Sequence, residues 1–336
     1  MPRVTIRDVA RHARVSTATV SRALSGARPV SPEVVAQVRR SAEELGYSGN
    51  GIASALRRSR TDTVGMVVPS IANPFFTALV ESAEHALQEA GQQLFLCSSR
   101  SDPGLEAQRL RTLVARQVDG IVISPVHGTE STAAVAWAAG RLPLVQVDRY
   151  VTGVDSHWVG VDDDAALGLI ADHLAGQGVR TAAFVSSRLT NSSTELRLSG
   201  LRRHSARLGI AVDERQILLG EYSIAWGREA AALLVEHRPL PDAVICADDL
   251  IALGVLEGCA AAGIDVPGDV LVTGFDDIPF SALSAPPLTT VHQPQEQIAA
   301  EAVRLLQRAL GPGEGPHERI ALAPSLVVRA STGRGD

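Results

Sequence analysis

Lysine is absent from this chain: all 31 basic residues are arginine, a bias that says little about mechanism. Cysteine is scarce. Cys97, Cys246 and Cys259 show no CxxC spacing and sit among apolar or small residues, which argues against a metal or disulfide framework and for reduced structural thiols. No stretch approaches the roughly 20 consecutive apolar residues of a membrane span. The amino-terminal Met1-Pro-Arg-Val-Thr5 has no apolar run of signal-peptide type, so a cytoplasmic protein without a membrane partner is expected. No GxGxxG follows a strand and no Walker P-loop is present, leaving dinucleotide and nucleoside triphosphate binding unsupported. A GxSxG elbow, a Cys/His pair and paired carboxylates in one motif are also missing, so no catalytic residue is assigned and an enzyme is not expected. His85, His127, His173, His204 and His237 are scattered without metal-ligand spacing; neither a metal nor a cofactor is expected.

What the chain has is a pattern in its first sixty residues. Ile6, Val9, Ala10 and Ala13 recur at i, i+3, i+4 and i+7, one face of a helix that Thr5 can cap with Asp8 three residues on. A second helix starts after Ser16, whose hydroxyl can accept from a free first-turn N–H, and its apolar face carries Val20, Ala23 and Leu24. Thr17, Ala18, Ser21 and Arg22 occupy its other face. Val15 and its neighbours leave only the short turn that a helix-turn-helix needs, and Gly26 ends the second helix. Ser31-Pro32 then supplies an N-cap followed by Pro at the first helical position, and Val34, Val35, Val38, Ala42 and Leu45 form an apolar stripe up to Gly46. Three short helices can share one small core.

Charge separates this segment from an ordinary solvated bundle. Residues 1–60 hold eleven Arg and four acids (Asp8, Glu33, Glu43 and Glu44), a balance of +7, while the rest of the chain stands at −13; the whole-chain value of −6 hides the split. A basic head on an acidic body is the footprint of phosphate binding by one module, so the expected partner is double-stranded DNA.

The phrase Val15-Ser-Thr-Ala-Thr-Val-Ser-Arg-Ala-Leu24, with Val30-Ser-Pro-Glu33 and Leu45-Gly-Tyr47, resembles the LacI/GalR family of transcriptional regulators, and the resemblance covers essentially the full length. It implies that Thr17, Ala18 and Arg22 read base edges in the major groove, within a DNA-facing set that includes Thr5, Ser16, Ser21 and Tyr47. Arg22 can present two donors to guanine O6 and N7, worth about 1–3 kcal/mol of discrimination; a phosphate contact is the alternative. The tether Asn50-Gly-Ile-Ala-Ser-Ala-Leu-Arg-Arg58 resembles the family's hinge helix, with Leu56 as a minor-groove wedge and Asn50 and Arg57 among the DNA contacts. Gly49 stands where proline is common and Gly51 where alanine is frequent. Each Gly costs about 1 kcal/mol relative to Ala within a helix, so the hinge is expected to fold on DNA; a plain linker is the alternative. Arg14 stands where the family often has Gly in the turn.

From Thr63 onward β-rich runs alternate with amphipathic stretches. Residues 64–68, 93–96, 120–123, 144–147, 182–185, 243–246 and 270–273 read as buried parallel strands, the rhythm of an open doubly wound α/β sheet with ligands outside the strand carboxyl ends. The family fold implies two such lobes, of the periplasmic-binding-protein type, joined by three crossovers near Val161, His292 and Ala323. The expected division is a headpiece (1–48), a hinge or linker (49–60), and an effector-binding and dimerisation domain (61–330). Within the last, one lobe takes 61–161 and 293–323, the other 162–292, and a final strand 324–330 returns across them. By resemblance Arg197, Asp248 and Asp276 carry most weight for a small-molecule site, Phe76 and Tyr222 pack on the ligand's apolar face, and Arg149 and Asn191 are weaker candidates. The chemistry suits a polyol, because a carboxylate accepts from two adjacent hydroxyls while a guanidinium donates in a planar fork. Asp248 departs from the Asn common at its position, and an extra acid favours more donor-rich ligands.

Each residue also has a plain structural role open to it. Asp249 reads as the N-cap of a helix over 250–262, Asp163 and Asp164 as caps of the helix running to Ala175, Asp277 as loop support, Arg197 as one half of an internal ion pair, and Phe76 as core. The expectation is a homodimeric repressor of carbohydrate uptake or catabolism genes on a palindromic operator, released or tightened by a sugar-like effector. A solute-binding protein of the same two-lobed fold, an architectural DNA-binding protein with an inert body, and a regulator answering to a nucleobase or phosphorylated ligand are the alternatives. The carboxyl-terminal residues carry no leucine heptads, so no tetramerisation coil is expected.

Overall fold

The computed structural model describes residues 4–25, 30–47, 60–311 and 315–333. The chain divides into two compact units, Met1–Asp62 and Thr63–Asp336. The stop at Gly26 and the hinge expected over 50–58, with Asn50, Leu56 and Arg57, lie outside the described residues.

In the first unit, α1 (Ile6–His12), α2 (Thr17–Ser25) and α3 (Pro32–Glu44) enclose one core of Val9, Ala10, Ala13, Val20, Ala23, Val38 and Ala42. Their starts follow capping chemistry. The Asp8 carboxylate accepts from the Thr5 backbone N–H at 2.9 Å and from its hydroxyl at 2.7 Å, and Ser16 Oγ accepts from the N–H of Thr19 at 3.0 Å. Ser31 Oγ faces the N–H of Val34, with Pro32 opening α3. Gln37 of α3 donates to the carbonyl of Ala13, tying the third helix to the turn between the first two. Arg14 in that turn takes φ +50°, the left-handed region where glycine costs least, which is the physical reason a glycine suits the position. Leu24 departs from the expected apolar face. It is 39 % exposed, while Val20 and Ala23 of the same helix are buried.

The second unit contains two six-stranded sheets. Its strands are β1 (Thr63–Val68), β2 (Gln93–Ser98), β3 (Gly120–Ile123), β4 (Leu144–Val147), β5 (His157–Val161), β6 (Thr181–Ser187), β7 (Ala211–Gly220), β8 (Ala243–Cys246), β9 (Leu271–Asp276), β10 (Thr289–His292), β11 (Arg319–Leu322) and β12 (Ser325–Val327). The first sheet runs β11-β5-β4-β3-β1-β2 and all its pairings are parallel. The second runs β12-β10-β9-β8-β6-β7 and is parallel except where β12 meets β10. The connecting helices are α4 (Pro74–Glu89), α5 (Pro103–Ala115), α6 (Thr132–Ala139), α7 (Asp163–Gly176), α8 (Ser192–Leu208), α9 (Ile224–Glu236), α10 (Asp249–Ala261) and α11 (Gln295–Ala309). They cover both faces of each sheet. One core lies between the first sheet and α4 with α11, another between that sheet and α5 with α6. The second sheet has matching cores under α7 with α8 and under α9 with α10. The chain passes from one sheet to the other after β5, after β10 and after β11. Four strands, β5, β7, β10 and β11, go beyond those expected from the sequence. Among the described residues no helix is long and apolar enough to cross a membrane.

Helices α9 and α10 approach backbone to backbone, and two glycines permit it. A Cβ on Gly227 would sit 2.0 Å from the carbonyl oxygen of Ile251, and one on Gly254 would sit 2.1 Å from that of Ile224. Gly254→Ala therefore lowers the thermal stability of the second unit, by about 1–3 kcal/mol if the helices part as overpacked cores do. Gly176→Ala is the control, because a Cβ there meets nothing within 4 Å. Melting curves by circular dichroism check the pair, and equal midpoints for Gly254→Ala and the parent chain would contradict the close approach.

Candidate functional site

The first unit presents one polar helical face. Thr17, Ala18 and Arg22 of α2 are exposed and Ser21 is half-buried, while Val20 and Ala23 on the opposite side are in the core. Arg22 Nε donates to the carbonyl of Ala18 at 3.2 Å, so the guanidinium folds back along its helix. Thr5 and Ser16 cap α1 and α2, and Tyr47 packs partly against the small core, so these three also hold up the helices that bear the polar face.

In the second unit, a narrow cavity opens between the two sheets at the carboxyl ends of their strands. Asn73, Phe75 and Phe76 reach it from the turn after β1 and the start of α4, and Asp148 and Arg149 from the end of β4. The other lobe contributes Ser193 and Arg197 of α8, Tyr222 after β7, Asp248 after β8 and Asp276 at the end of β9. This is where doubly wound sheets place ligands, because the strand ends leave a crevice that the helices do not cover. Six residues expected at a ligand site line this cavity: Phe76, Arg149, Arg197, Tyr222, Asp248 and Asp276. Asn191 is not among the lining residues. Its side chain caps α8, accepting from the N–H of Thr194 at 3.1 Å and from its hydroxyl at 3.2 Å, and Thr194 in turn meets the Tyr222 hydroxyl at 2.7 Å.

The two lobes are also hydrogen-bonded to each other directly. Gly128 N–H donates to the carbonyl of Thr190 at 2.7 Å and Tyr150 N–H to Ser192 Oγ at 3.0 Å. Arg149 lies over the ring of Phe76 from one lobe, 5.6 Å to the centroid, and over that of Tyr222 from the other, 5.0 Å. Two acids of the wall hold left-handed backbone, Asp148 at φ +59° and Asp276 at φ +114°. Such conformations cost about 1–3 kcal/mol each and persist only where neighbours enforce them. Trp158 Nε1 donates to the Asp148 carbonyl, while Gln293 Nε2 donates to Asp276 Oδ1 at 2.7 Å and Gln295 to its carbonyl.

Arg197 forms an internal ion pair. Its Nε donates to Asp163 Oδ1 at 2.7 Å, a terminal nitrogen donates to the Ala247 carbonyl at 2.6 Å, and its plane lies 3.5 Å from the centroid of Phe275. Asp163 is thus an ion-pair partner and not a cap. Asp162 caps α7 instead, accepting from the N–H of Ala165, and Asp164 accepts from Arg203 and His204. The cap of α10 is likewise one residue earlier than expected. Asp248 Oδ1 accepts from the N–H of Ile251 at 2.8 Å, whereas Asp249 points inward to the hydroxyls of Ser281 and Thr290, both at 2.6 Å, and to the N–H of Ile278 at 2.9 Å. A shift of one residue at a helix start turns the side chain by about 100°, enough to swap cap and core. Asp277 supports its loop, pairing with Arg329 at 2.6 Å. Phe76 is both a cavity wall and part of the core under α4.

Electrostatically this is an acidic wall held in low dielectric. Burial pushes the carboxyls of Asp163 and Asp248 up to about 6 and that of Asp249 up to about 7, and it raises Asp148 as well. Burial likewise lifts Asp276 well above the usual carboxylate range, with neighbouring Asp248, Asp249 and Asp148 adding to the effect and Arg197 opposing it. Burial alone would lower Arg197, but Asp163 and Asp276 outweigh it and hold the guanidinium firmly charged. Asn73, Phe75, Asp148 and Ser193 line the cavity without having been singled out in the sequence. Asp148 was the legible one, since it stands directly after β4 and beside Arg149. Among the described residues no cluster of three or more His, Cys, Asp or Glu is arranged to hold a metal ion.

Residues 5–50 match the family described as bacterial regulatory proteins of the lacI family, and residues 171–332 match the periplasmic binding protein-like domain. The chain is 31 % identical to the ribose operon repressor of Escherichia coli K12 over 329 residues, covering 97 % of this chain and 99 % of that protein. It is 30 % identical to the HTH-type transcriptional repressor PurR of Histophilus somni strain 129Pt, covering 97 % and 98 % respectively. Among solved structures, the lac repressor dimer bound to operator and the anti-inducer ONPF superposes with a TM-score of 0.88 at 26 % identity, covering 98 % of this chain and 99 % of that one.

The buried acids make stability depend on pH in a definite direction. A carboxyl whose folded pKa exceeds its unfolded one favours the folded state when protonated. The contribution of Asp249 is thus full below its ordinary value of 3.8 and is lost as pH rises through about 7. Asparagine keeps an oxygen for the Ile278 N–H and a donor for Thr290, but cannot ionise. The stability of the parent chain relative to Asp249→Asn therefore falls across that pH window in urea titrations. Parallel pH profiles for the two proteins would refute the assignment.

Proposed function

The chain belongs to the LacI family of bacterial regulatory proteins, and from that premise we propose that it acts as a homodimeric repressor whose grip on a palindromic operator is set by a small sugar-like effector between the lobes. It is a DNA-binding transcriptional regulator and not an enzyme. The observation that carries the effector reading is the cavity wall itself, in which the carboxylates of Asp248 and Asp276 and the guanidiniums of Arg149 and Arg197 converge beside the rings of Phe76 and Tyr222. Acids accept from hydroxyls, guanidiniums donate to ring or hydroxyl oxygens, and aromatic faces cover C–H surface, which together match a polyol. One relative is by name a repressor of a ribose operon, and the lac repressor structure holds a dimer on operator with a ligand.

In this reading residues 1–48 form the DNA-binding headpiece, 49–60 the hinge and 61–330 the effector-binding and dimerisation domain. Two headpieces occupy the two half-sites of the operator, since twofold symmetry of the protein is mirrored in the DNA. Base edges are read from the exposed face of α2 by Thr17, Ala18 and Arg22, and Leu56 wedges the minor groove. A ligand touching both lobes favours one arrangement of them over the other, by as much as its affinity for the two arrangements differs. That preference passes to the hinges and hence to the operator. Regulated genes would be those for uptake or breakdown of the effector, which acts in the cytoplasm.

Two variants test the two ends of this scheme. Arg22→Ala weakens operator binding and relaxes the preference at one base pair in each half-site, with about 1–3 kcal/mol of discrimination lost; an unchanged sequence preference in a binding-site selection would reduce Arg22 to a phosphate contact. Asp276→Asn leaves operator binding without effector intact and lowers effector affinity about 10- to 100-fold, the scale of a charge-assisted hydrogen bond. Thermal shifts of the full chain with sugars, polyols, sugar phosphates and nucleobases identify the ligand, because a compound that binds only the folded state raises its melting point. A response confined to nucleobases would contradict the sugar-like reading.

A further inference from the structure

Four carboxylates, those of Asp148, Asp163, Asp248 and Asp276, line or brace the cavity, and only two guanidiniums, Arg149 and Arg197, face them. Both cations already face an acid, although Arg149 Nε makes no hydrogen bond. Arg197 is bound to Asp163 at 2.7 Å, and Arg149 Nε lies 3.5 Å from Asp148 Oδ2. The hydrogen bond of Asp276 is to the neutral amide of Gln293, with the charge of Arg197 also acting on it, and Asp248 spends Oδ1 on the N–H of Ile251. The second oxygen, Asp248 Oδ2, has no hydrogen-bond partner although the residue is only 1 % exposed and forms part of the cavity wall. Behind this wall Asp249 is fully buried and is met by hydroxyls and one N–H, without a cation. The chain has no lysine that could supply a further charge.

We propose that the ligand of this cavity is cationic, a hydroxyl-rich frame bearing a protonated amine that docks between Asp248 and Asp276; this rests on the reading of the cavity as a site for a sugar-like effector. Buried carboxylates without a counterion are costly, and an ammonium offers three donors and a positive charge in a volume that a narrow cavity admits. Hydroxyls of the same frame would satisfy Arg149 and Arg197. A phosphorylated ligand would add charge of the wrong sign to a wall already short of cations. Burial raises both acids, Asp248 to about 6 and Asp276 well above the usual carboxylate range, and a bound cation would favour their ionised forms.

The test measures binding by calorimetry to the full-length protein, at a pH below the amine's own pKa. Glucosamine, galactosamine and mannosamine are each compared with the parent hexose, the N-acetyl derivative that removes the charge, and the hexose 6-phosphate that inverts it. At least one amine is expected to bind about tenfold or more tighter than both its parent and its N-acetyl form, with no binding of the phosphates. Asp248→Asn keeps the side-chain oxygen that caps α10, since asparagine caps as well as aspartate, and removes only the charge. It should erase the amine's advantage, read as the ratio of its affinity to those of its parent hexose and N-acetyl form in the same variant, while the protein stays folded by circular dichroism. Equal or tighter binding of a parent hexose, or binding of a phosphate, would overturn the cationic ligand and leave the sugar-like reading standing. If no compound of the panel bound while another neutral sugar or polyol raised the melting point, this inference would fall and the sugar-like reading would stand; a response confined to nucleobases would overturn both.

Discussion

Arg197 is 3 % exposed, and from α8 its guanidinium reaches Asp163 at the start of α7, the carbonyl of Ala247 after β8 and the ring of Phe275 in β9. Four elements of one lobe meet at this charge. Removing one partner of such a buried pair typically costs about 3–5 kcal/mol, because the other charge is left uncompensated. Asp163 also follows directly on the crossover out of β5, so the pair anchors the first helix of the second lobe to its sheet. The cavity is built outward from this point, with Asp248 one residue beyond Ala247 and Asp276 one residue beyond Phe275.

The two ends of the molecule solve opposite electrostatic problems. Residues 1–60 gather eleven arginines against four acids, which suits a module that must approach phosphates. The body buries acids against too few cations and holds the excess as carboxyls shifted toward neutrality. Its overall negative charge disfavours nonspecific contact with the DNA that the headpiece seeks. A ligand-controlled regulator needs this separation, since the part that senses must not compete with the part that binds.

Much of the fold was legible because its central strands are buried on both faces. Runs such as Val64-Gly-Met-Val-Val68 and Ala243-Val-Ile-Cys246 are continuously apolar and stand out between helical stretches. The strands that escaped notice lack that signature for visible reasons. β7 is an edge strand whose polar Asp213-Glu-Arg-Gln216 lies largely in solvent, and β11 is a four-residue edge strand with alternating exposure. β5 and β10 are buried, but His157, Trp158, Gly160, Thr289 and Thr290 dilute their apolar run. The helix starts were legible in kind and off by one in place at Asp162 and Asp248, since neighbouring aspartates offer equally good caps to any reading of the sequence.

The sequence by itself determined the modules: the capped helix pair, the charge split, the alternation of strand and helix, and the residue types at strand ends. These follow from local periodicity and from chemistry within a few positions of the chain. Only the tertiary structure decided which aspartate faces the cavity and which faces a core, that Asp163 belongs to Arg197, and that Asp148 joins the wall while Asn191 supports Tyr222 through Thr194. Those outcomes depend on pairs separated by tens of residues. In the low dielectric between the lobes a carboxylate is tolerated only where a donor or cation from another element comes within reach.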